Sequence, residues 1–340
     1  KLYGNLIPSE EYLRASIEDV YSMLIRAIKK SPENPISRYN MARYFINSAN
    51  KERAIPELDK TIALFDKAVT LKKRDIYKYI NSYRLLGERY IDQREYLRAK
   101  VNFIKGINLF EERNQLNGFE SDKNVGITYA DLADIDYFIS GDLDNAERNY
   151  VNSINNKNDN SSIRYKLGYI NYRDEDYEDA VNHFLVASKD KDSDLNLMLA
   201  LGNSLSLKDD NFASVGYYQR LIELLDFEIE KKDIILPQIN EEDTYLVDMY
   251  LKATNNIGVG QFRIARETGN SNLNGQSMNN LQESLRAWDS FTRNPVTMVR
   301  LPGTNLAEQN LKYIINPVST FEPAIYTDIP RIMQNEKGLE

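Results

Sequence analysis

The sequence contains no cysteine, one tryptophan and a single histidine, His183, among 340 residues. A chain without cysteine cannot form a disulfide framework, a thiolate nucleophile or a thiolate metal site. With no second imidazole and no thiol, a zinc site or a nucleophile–base pair that uses His183 is implausible, so His183 is expected to be structural or exposed. We therefore predict that the protein is not an enzyme and that it holds no metal and no cofactor.

The motifs that bind phosphates or calcium are incomplete. Gly258 and Gly260 lack the third glycine of a dinucleotide-binding loop. Asp190, Asp192 and Asp194 have the spacing that starts a calcium loop, but leucines stand where its glycine and its glutamate should be. We expect a solvated turn that caps the next helix instead.

Apolar runs of the roughly 18 residues that span a bilayer are missing, as is a signal peptide. We therefore expect no membrane insertion by this part of the chain. Because the first residue is Lys1 and not methionine, any export signal or anchor is expected to lie upstream. The net charge of -8 disfavours binding to nucleic acid.

The charge is unevenly distributed. Residues 1–100 carry 20 basic and 13 acidic side chains, whereas residues 101–250 carry 14 and 30. A basic end beside an acidic middle can steer protein partners or draw copies of the chain together head to tail. The alternative is two differently charged solvated faces.

What the sequence does contain is a repeat of 34 residues: the windows 127–160, 161–194 and 195–228 align at this spacing, and residues 80–113 give the cleanest copy. Residues 35–68 hold a degenerate copy. The middle window shows the pattern of a Leu-Gly pair, an aromatic residue, an alanine, a second aromatic and a second alanine: Leu167, Gly168, Tyr177, Ala180, Phe184 and Ala187. Small residues at these places let two helices approach closely, and large ones fill the space between successive pairs.

This pattern resembles the tetratricopeptide repeat (TPR), aromatic-x-x-Leu-Gly-x-x-Tyr followed by Ala-x-x-x-Phe-x-x-Ala, over residues 35–228. The resemblance implies an all-α fold, a right-handed superhelical TPR solenoid of antiparallel helix pairs. One pair cannot bury its apolar face alone, so neighbouring pairs must stack.

We predict four regions along the chain. They are an N-terminal helix or truncated repeat at 1–34, the TPR array at 35–228, a divergent helix pair at 229–293, and a C-terminal helix with an extended segment at 294–340. Two stretches interrupt the period, and we expect 69–79 to lengthen a second helix and 114–126 to form an exposed loop. A loop is also expected from Gly269 to Gly275, between helices at 242–268 and 275–293.

The C-terminal region, from residue 294 onward, contains five of the ten prolines. A helix is predicted over 304–315, with Thr304 or Asn305 as its N-cap. Beyond it, residues 318–334 combine many apolar side chains with two prolines, which favour an extended path. We expect this segment to lie extended against the 242–293 helix pair, or in the groove, as a built-in proline-rich cap. The alternative is a partner-binding motif that is free in isolation.

In TPR arrays the first helix of each pair lines a concave groove, and the resemblance places candidate partner-binding residues there. They are Tyr39, Arg43, Arg84, Glu88, Asp131, Phe138, Tyr165, Tyr169, Tyr172, Asn196 and Asn203. The Lys/Asn/Arg clamp of chaperone-binding TPR domains is absent, since Arg84 is followed by Glu88. Tyr165, Tyr169 and Tyr172 form a stripe instead, which suits an extended or helical segment. The alternative is that these tyrosines only pack between repeats.

The C-terminal tail carries a narrower resemblance. The sequence LPGTNLA at 301–307, with Asn316-Pro317, Phe321-Glu322-Pro323 and an Asn-, Tyr- and Ile-rich composition, is similar to TPR proteins of spirochaetes, most closely a component of their periplasmic flagellar collar. That resemblance implies a periplasmic scaffold in contact with flagellar-motor proteins.

The predicted function is therefore that of a non-catalytic TPR scaffold for protein–protein interactions. Its expected place is the assembly of an envelope or flagellar-motor-associated complex, and its partners are proteins, including further copies of itself. The alternative is an adaptor or regulatory TPR domain of a larger enzyme, or of an envelope- or pilus-biogenesis protein.

Overall fold

The computed structural model describes residues 10–48, 50–68, 70–117, 121–234, 241–292, 305–317 and 321–332. The chain divides into two compact units, residues 1–159 with 333–340 and residues 160–332. Every regular element in the described ranges is helical. The predicted all-α fold class is confirmed. The tail residues 301–304, with Thr304 as one predicted N-cap, lie outside the described ranges.

In the first unit, consecutive helices pack on one another. They are α1 (Glu10–Lys30), α2 (Pro35–Ile46), α3 (Ala54–Asp66), α4 (Lys73–Asp92), α5 (Tyr96–Asn117), α6 (Lys123–Asp134) and α7 (Leu143–Asn155). Short turns reverse the chain, so the helices of a pair run antiparallel. A π-helical stretch, Ile135–Ser140, extends α6 and ends at Gly141, whose φ is 68°.

The second unit repeats the arrangement and adds an extended segment. Its helices are α8 (Ser161–Arg173), α9 (Tyr177–Ser188), α10 (Leu195–Leu207), α11 (Asn211–Lys231), α12 (Thr244–Thr268), α13 (Ser271–Thr292) and α14 (Leu306–Ile315). One continuous apolar cluster runs through α8 to α12, as stacked helix pairs require. Residues 321–332 then pack against the helices of this unit. They form neither a helix nor a strand.

The small and aromatic residues of the repeat meet inside each pair. A glycine on the first helix lies under an aromatic ring from the second. The pairs are Gly87 with Phe103, Gly168 with Phe184 and Gly202 with Tyr218. A Cβ on Gly202 would lie 2.4 Å from the Tyr218 ring, so only glycine allows this approach. The glycines and aromatic residues of the TPR pattern therefore pack against each other, as the pattern predicts.

The turn inside a pair also recurs every 34 residues. Its middle residue has a left-handed φ of 68° at Gly141, 63° at Glu175 and 64° at Asp209. The next residue is an aspartate whose side chain accepts a hydrogen bond from the first turn of the following helix, as at Asp176 and Asp210. These turns fix where each second helix begins.

The interruption near 69–79 was predicted to lengthen a second helix, and this prediction is wrong. Helix α3 ends at Asp66, and the additional residues extend the start of α4, which begins at Lys73. The reason is burial, because Ile76 and Ile80 on the first turns of α4 lie in the apolar cluster of the first unit. Of the second interruption, 114–117 and 123–126 are helical, and residues 118–120 lie outside the described ranges.

The predicted loop from Gly269 to Gly275 is also wrong. Helix α12 ends at Thr268 and α13 begins at Ser271. Gly269 makes the reversal at a φ of 70°, and the side chain of Asn270 caps α13 by accepting from Asn272 N at 3.0 Å. One left-handed glycine and one cap replace a loop of seven residues.

Candidate functional site

Side chains from four helices of the second unit converge on residues 321–332, which we call the C-terminal segment. They are Tyr165 and Tyr172 from α8, Asn203 from α10, Lys252, Asn255, Asn256 and Arg263 from α12, and Asn310 from α14. We call this set the segment-binding face. An extended polypeptide therefore lies across the first helices of consecutive pairs.

Two asparagines contact the main chain of the segment with both ends of their amides. Asn310 accepts from Ala324 N and donates to Ala324 O, both at 2.9 Å. Asn256 accepts from Tyr326 N at 2.8 Å and donates to Tyr326 O at 3.0 Å. Residues two apart in an extended chain present their main-chain groups to the same side. The face therefore pairs with the backbone much as a neighbouring strand would.

Three further side chains donate to main-chain oxygens of the segment beyond Tyr326. The Tyr172 hydroxyl donates to Thr327 O at 2.6 Å and the Tyr165 hydroxyl to Pro330 O at 2.7 Å. Asn203 Nδ2 lies 3.4 Å from Asp328 O. Burial raises the pKa of the Tyr172 hydroxyl, which keeps it protonated as a donor.

The amides of the face form one buried chain. Asn310 donates to Asn255 at 2.9 Å, Asn255 to Asn256 at 3.0 Å, and Asn256 to Asn203 at 3.0 Å. The hydroxyl of Tyr218 donates to the same Asn203 oxygen at 2.7 Å. All four asparagines are fully buried. Buried amides are costly without partners, so this network depends on the segment to complete it.

Apolar contacts hold the first half of the segment. Pro323, Ile325 and Tyr326 are buried. The Tyr326 hydroxyl also accepts from Leu306 N at 3.0 Å, which ties the segment to the start of α14. Ile329, in the second half, packs on the core of the unit while remaining partly exposed.

One ion pair joins the face to a side chain of the segment. Lys252 Nζ lies 2.5 Å from Asp328 Oδ2 and 2.5 Å from Asp248 Oδ2 on its own helix. Burial alone lowers the pKa of Lys252, but the hydrogen bonds to the two carboxylates outweigh it, and the net shift is upward. The ammonium therefore stays charged in a buried position.

Three of the residues that the sequence analysis selected, Tyr165, Tyr172 and Asn203, belong to the face. Tyr169 is buried in α8, and Asn196 is exposed at the start of α10. The repeat pattern did not indicate the contributions of α12 and α14, namely Lys252, Asn255, Asn256, Arg263 and Asn310. The one available signal was the Asn-Asn pair in the middle of a helix with apolar neighbours.

The other selected residues lie in the first unit. Tyr39, Arg43 and Arg84 line an open cleft of about 320 Å³. Arg84 is bound to Glu88 at 2.6 Å, so its charge is already paired. Asp131 is buried in α6, and the Phe138 ring packs edge-on against Tyr137. Their role in partner binding remains a prediction.

His183 and Asp194, an aspartate of the incomplete calcium motif, make local contacts within the fold. His183 is half-buried, with Nδ1 3.2 Å from Arg164 Nη1. Asp194 caps α10 by accepting from Asn196 N and Leu197 N. Within the described ranges, no three His, Asp or Glu side chains are grouped as a metal site would need. None of the described helices has the length and apolar character of a membrane span.

Comparisons with known proteins give structural neighbours alone. The sequence matches no protein-family model and no curated protein. YrrB, described as a TPR protein with an unusual peptide-binding site, has a TM-score of 0.46 and 16% identity, over 59% of this chain and 91% of that one. The C-terminal part of a TPR repeat-containing protein from Cytophaga hutchinsonii has a TM-score of 0.46 and 12% identity, over 83% and 93%. BtubC (BKLC) from P. vanneervenii has a TM-score of 0.38 and 12% identity, over 87% and 98%.

The stacked helix pairs define an all-α repeat protein. More particularly, the glycine-on-ring contacts and the left-handed turns at a period of 34 residues give it the TPR fold. The resemblance inferred from the sequence is confirmed at the level of fold. A TPR fold suggests a protein-interaction scaffold.

Proposed function

We propose that this protein is a protein-binding scaffold whose second unit holds an extended polypeptide on the segment-binding face. The observation that carries the proposal is the set of hydrogen bonds from Asn256, Asn310, Tyr172 and Tyr165 to main-chain atoms of residues 324–330. A face that bonds to the main chain accepts many sequences, provided that they are extended.

The chain acts by binding and not by catalysis under this proposal. The polar groups of the face are amides, phenols and one paired ammonium, and each contacts the segment or a neighbour in the network. Such groups suit recognition of a backbone, because they supply donors and acceptors at fixed spacing.

Peptide selection on the full chain tests the proposal. Random 12-residue peptides displayed on phage are selected on the wild type and retested on a Tyr165→Phe/Tyr172→Phe variant. Loss of two hydroxyl donors should weaken the selected peptides about tenfold or more, at about 0.5–1.5 kcal/mol per hydrogen bond. Tyr245→Phe, the same change at an exposed tyrosine at the start of α12, is the matched control. Equal binding to all three proteins would show that peptides use another surface.

A narrower role, in a periplasmic flagellar collar, is also proposed. It is supported by the resemblance of the tail, including the described residues Asn316-Pro317 and Phe321-Glu322-Pro323. Deletion of the gene in its own organism, followed by imaging of the flagellar motor, tests this role. An intact collar in cells that lack the protein would exclude it.

A further inference from the structure

The two halves of the C-terminal segment are held differently. In residues 321–326, Ile325 and Tyr326 are buried, and two asparagines bond to both the N–H and the C=O of alternate residues. In residues 327–332, Thr327 and Asp328 are exposed. The main-chain oxygens of Thr327, Asp328 and Pro330 accept hydrogen bonds, and Asp328 forms an ion pair with Lys252. The first half is anchored by buried side chains and by paired main-chain groups, whereas the second half combines partly exposed packing of Ile329 and Ile332 with polar contacts.

The ion pair is asymmetric. The side chain of Lys252 is 9% exposed, whereas that of Asp328 is 67% exposed. Releasing Asp328 from Lys252 costs little free energy, because water then solvates the Asp328 carboxylate fully. Lys252 cannot follow, because it lies on a helix beside its other counter-ion, Asp248, at 2.5 Å. A buried ammonium in this position selects for a carboxylate from whatever lies across the face.

We propose that residues 327–332 are a built-in competitor for the segment-binding face. The partner that replaces them is an extended acidic peptide, with a carboxylate on Lys252 and main-chain oxygens on Tyr172 and Tyr165. Residues 321–326 stay in place as a cap. The inference rests on the proposed function and adds both the chemistry of the partner and the control of its access.

Trypsin reports the release of the second half in the full chain. The bond after Arg331 lies in this half, and cleavage of a locally opened segment follows the population of the open form. Asp328→Asn removes the ion pair and should speed this cleavage about tenfold, the effect of losing one charge-assisted hydrogen bond. Asp192→Asn, an exposed change at a turn of the same unit, is the control and should leave the rate unchanged.

Peptide binding reports competition and selectivity. The probe is a fluorescent peptide, TDIPQI, which copies residues 327–332 with glutamine in place of arginine so that trypsin cannot cut it. It should bind the Asp328→Asn protein about tenfold more tightly than the wild type. A second peptide, TNIPQI, should gain by the same factor, because the competitor is weakened for both peptides, but it should bind the Asp328→Asn protein about tenfold more weakly than TDIPQI. In Lys252→Met, the two peptides should bind alike.

The outcomes separate this inference from the proposed function. If selected peptides bind but Asp328→Asn changes neither cleavage nor affinity, residues 327–332 are not a competitor. If TDIPQI and TNIPQI bind the Asp328→Asn protein equally, Lys252 does not select a carboxylate. If no peptide binds any variant, the proposed function fails, and this inference fails with it.

Discussion

Asn256 holds Tyr326 by both of its main-chain polar groups, accepting from the amide N at 2.8 Å and donating to the carbonyl O at 3.0 Å. The two residues are 70 positions apart in the sequence. These two hydrogen bonds join the middle of a buried helix to an extended segment. They take the place of the main-chain hydrogen bonds that a neighbouring strand would make. They also place one amide at the centre of both the fold and the face.

Asn256→Ala should therefore destabilise the protein by about 2–3 kcal/mol, because it removes the hydrogen bonds to the main-chain N–H and C=O of Tyr326 and one of the two to the Asn203 oxygen. Urea unfolding followed by circular dichroism measures the change. Asn196→Ala, on an exposed site of α10, should stay within about 0.5 kcal/mol of the wild type. Similar values for the two variants would mean that the segment is not held by this amide.

The sequence was sufficient for the repeat and its packing, because the glycine and its aromatic partner recur at a fixed spacing. It also indicated that residues 318–334 lie extended, since Pro323 and Pro330 deny them a long helix. It could not show which helices hold the segment. Asn310 and Asn256 act together through a contact across 55 residues between α14 and α12, and no local periodicity reports such a distance.

Glycine at the first-helix position should be required where a ring lies over it and dispensable elsewhere. Gly202→Ala brings a Cβ within 2.4 Å of the Tyr218 ring, so it should cost about 1–3 kcal/mol by overpacking. Gly216 lies on an exposed turn of α11 with no atom within 4 Å of such a Cβ. Gly216→Ala should instead stabilise the helix by about 0.5–1 kcal/mol. Thermal unfolding of both variants checks the pair, and a loss at both positions would contradict this requirement.

Buried tyrosines should make the protein sensitive to alkali. Burial is the first cause that raises the pKa of several hydroxyls, at Tyr79, Tyr129, Tyr172, Tyr218 and Tyr250. Above the ordinary tyrosine pKa of about 10, the unfolded chain loses these protons while the folded chain keeps them. The stability that is complete below that pH is therefore lost as the pH rises further.

Unfolding free energies measured from about pH 8 to about pH 11, together with tyrosinate absorbance, test this sensitivity. Tyr218→Phe should flatten the decline at alkaline pH, although it lowers stability at neutral pH by removing the bond to Asn203. Tyr245→Phe, at an exposed tyrosine, should leave the slope as it is. A slope that no buried tyrosine affects would assign the alkaline loss to lysines such as Lys252.

Truncation after Asn316 tests whether the C-terminal segment is part of the fold. The segment buries Pro323, Ile325 and Tyr326, and each apolar side chain of this size contributes about 1.5–3 kcal/mol before the cost of ordering the chain. Its removal also deprives the buried amides of Asn256 and Asn310 of their hydrogen bonds to the main chain of the segment. We expect a lower melting temperature and association through the uncovered face, since removal of the segment exposes apolar surface of the helices that it covers.

A point variant distinguishes the loss of buried side-chain contacts from the other effects of removing the whole segment. Ile325→Ala should cost about 2–5 kcal/mol because the side chain is 5% exposed, whereas Ile315→Ala should cost little at 66% exposed. Sedimentation of the truncated chain should show assemblies whose size grows with protein concentration. A truncated chain that melts with the wild type and stays monomeric would make the segment a free binding motif. The hydrogen bonds between Asn256 and Tyr326 argue against that outcome, because release of the segment would leave the asparagine network without its main-chain partners.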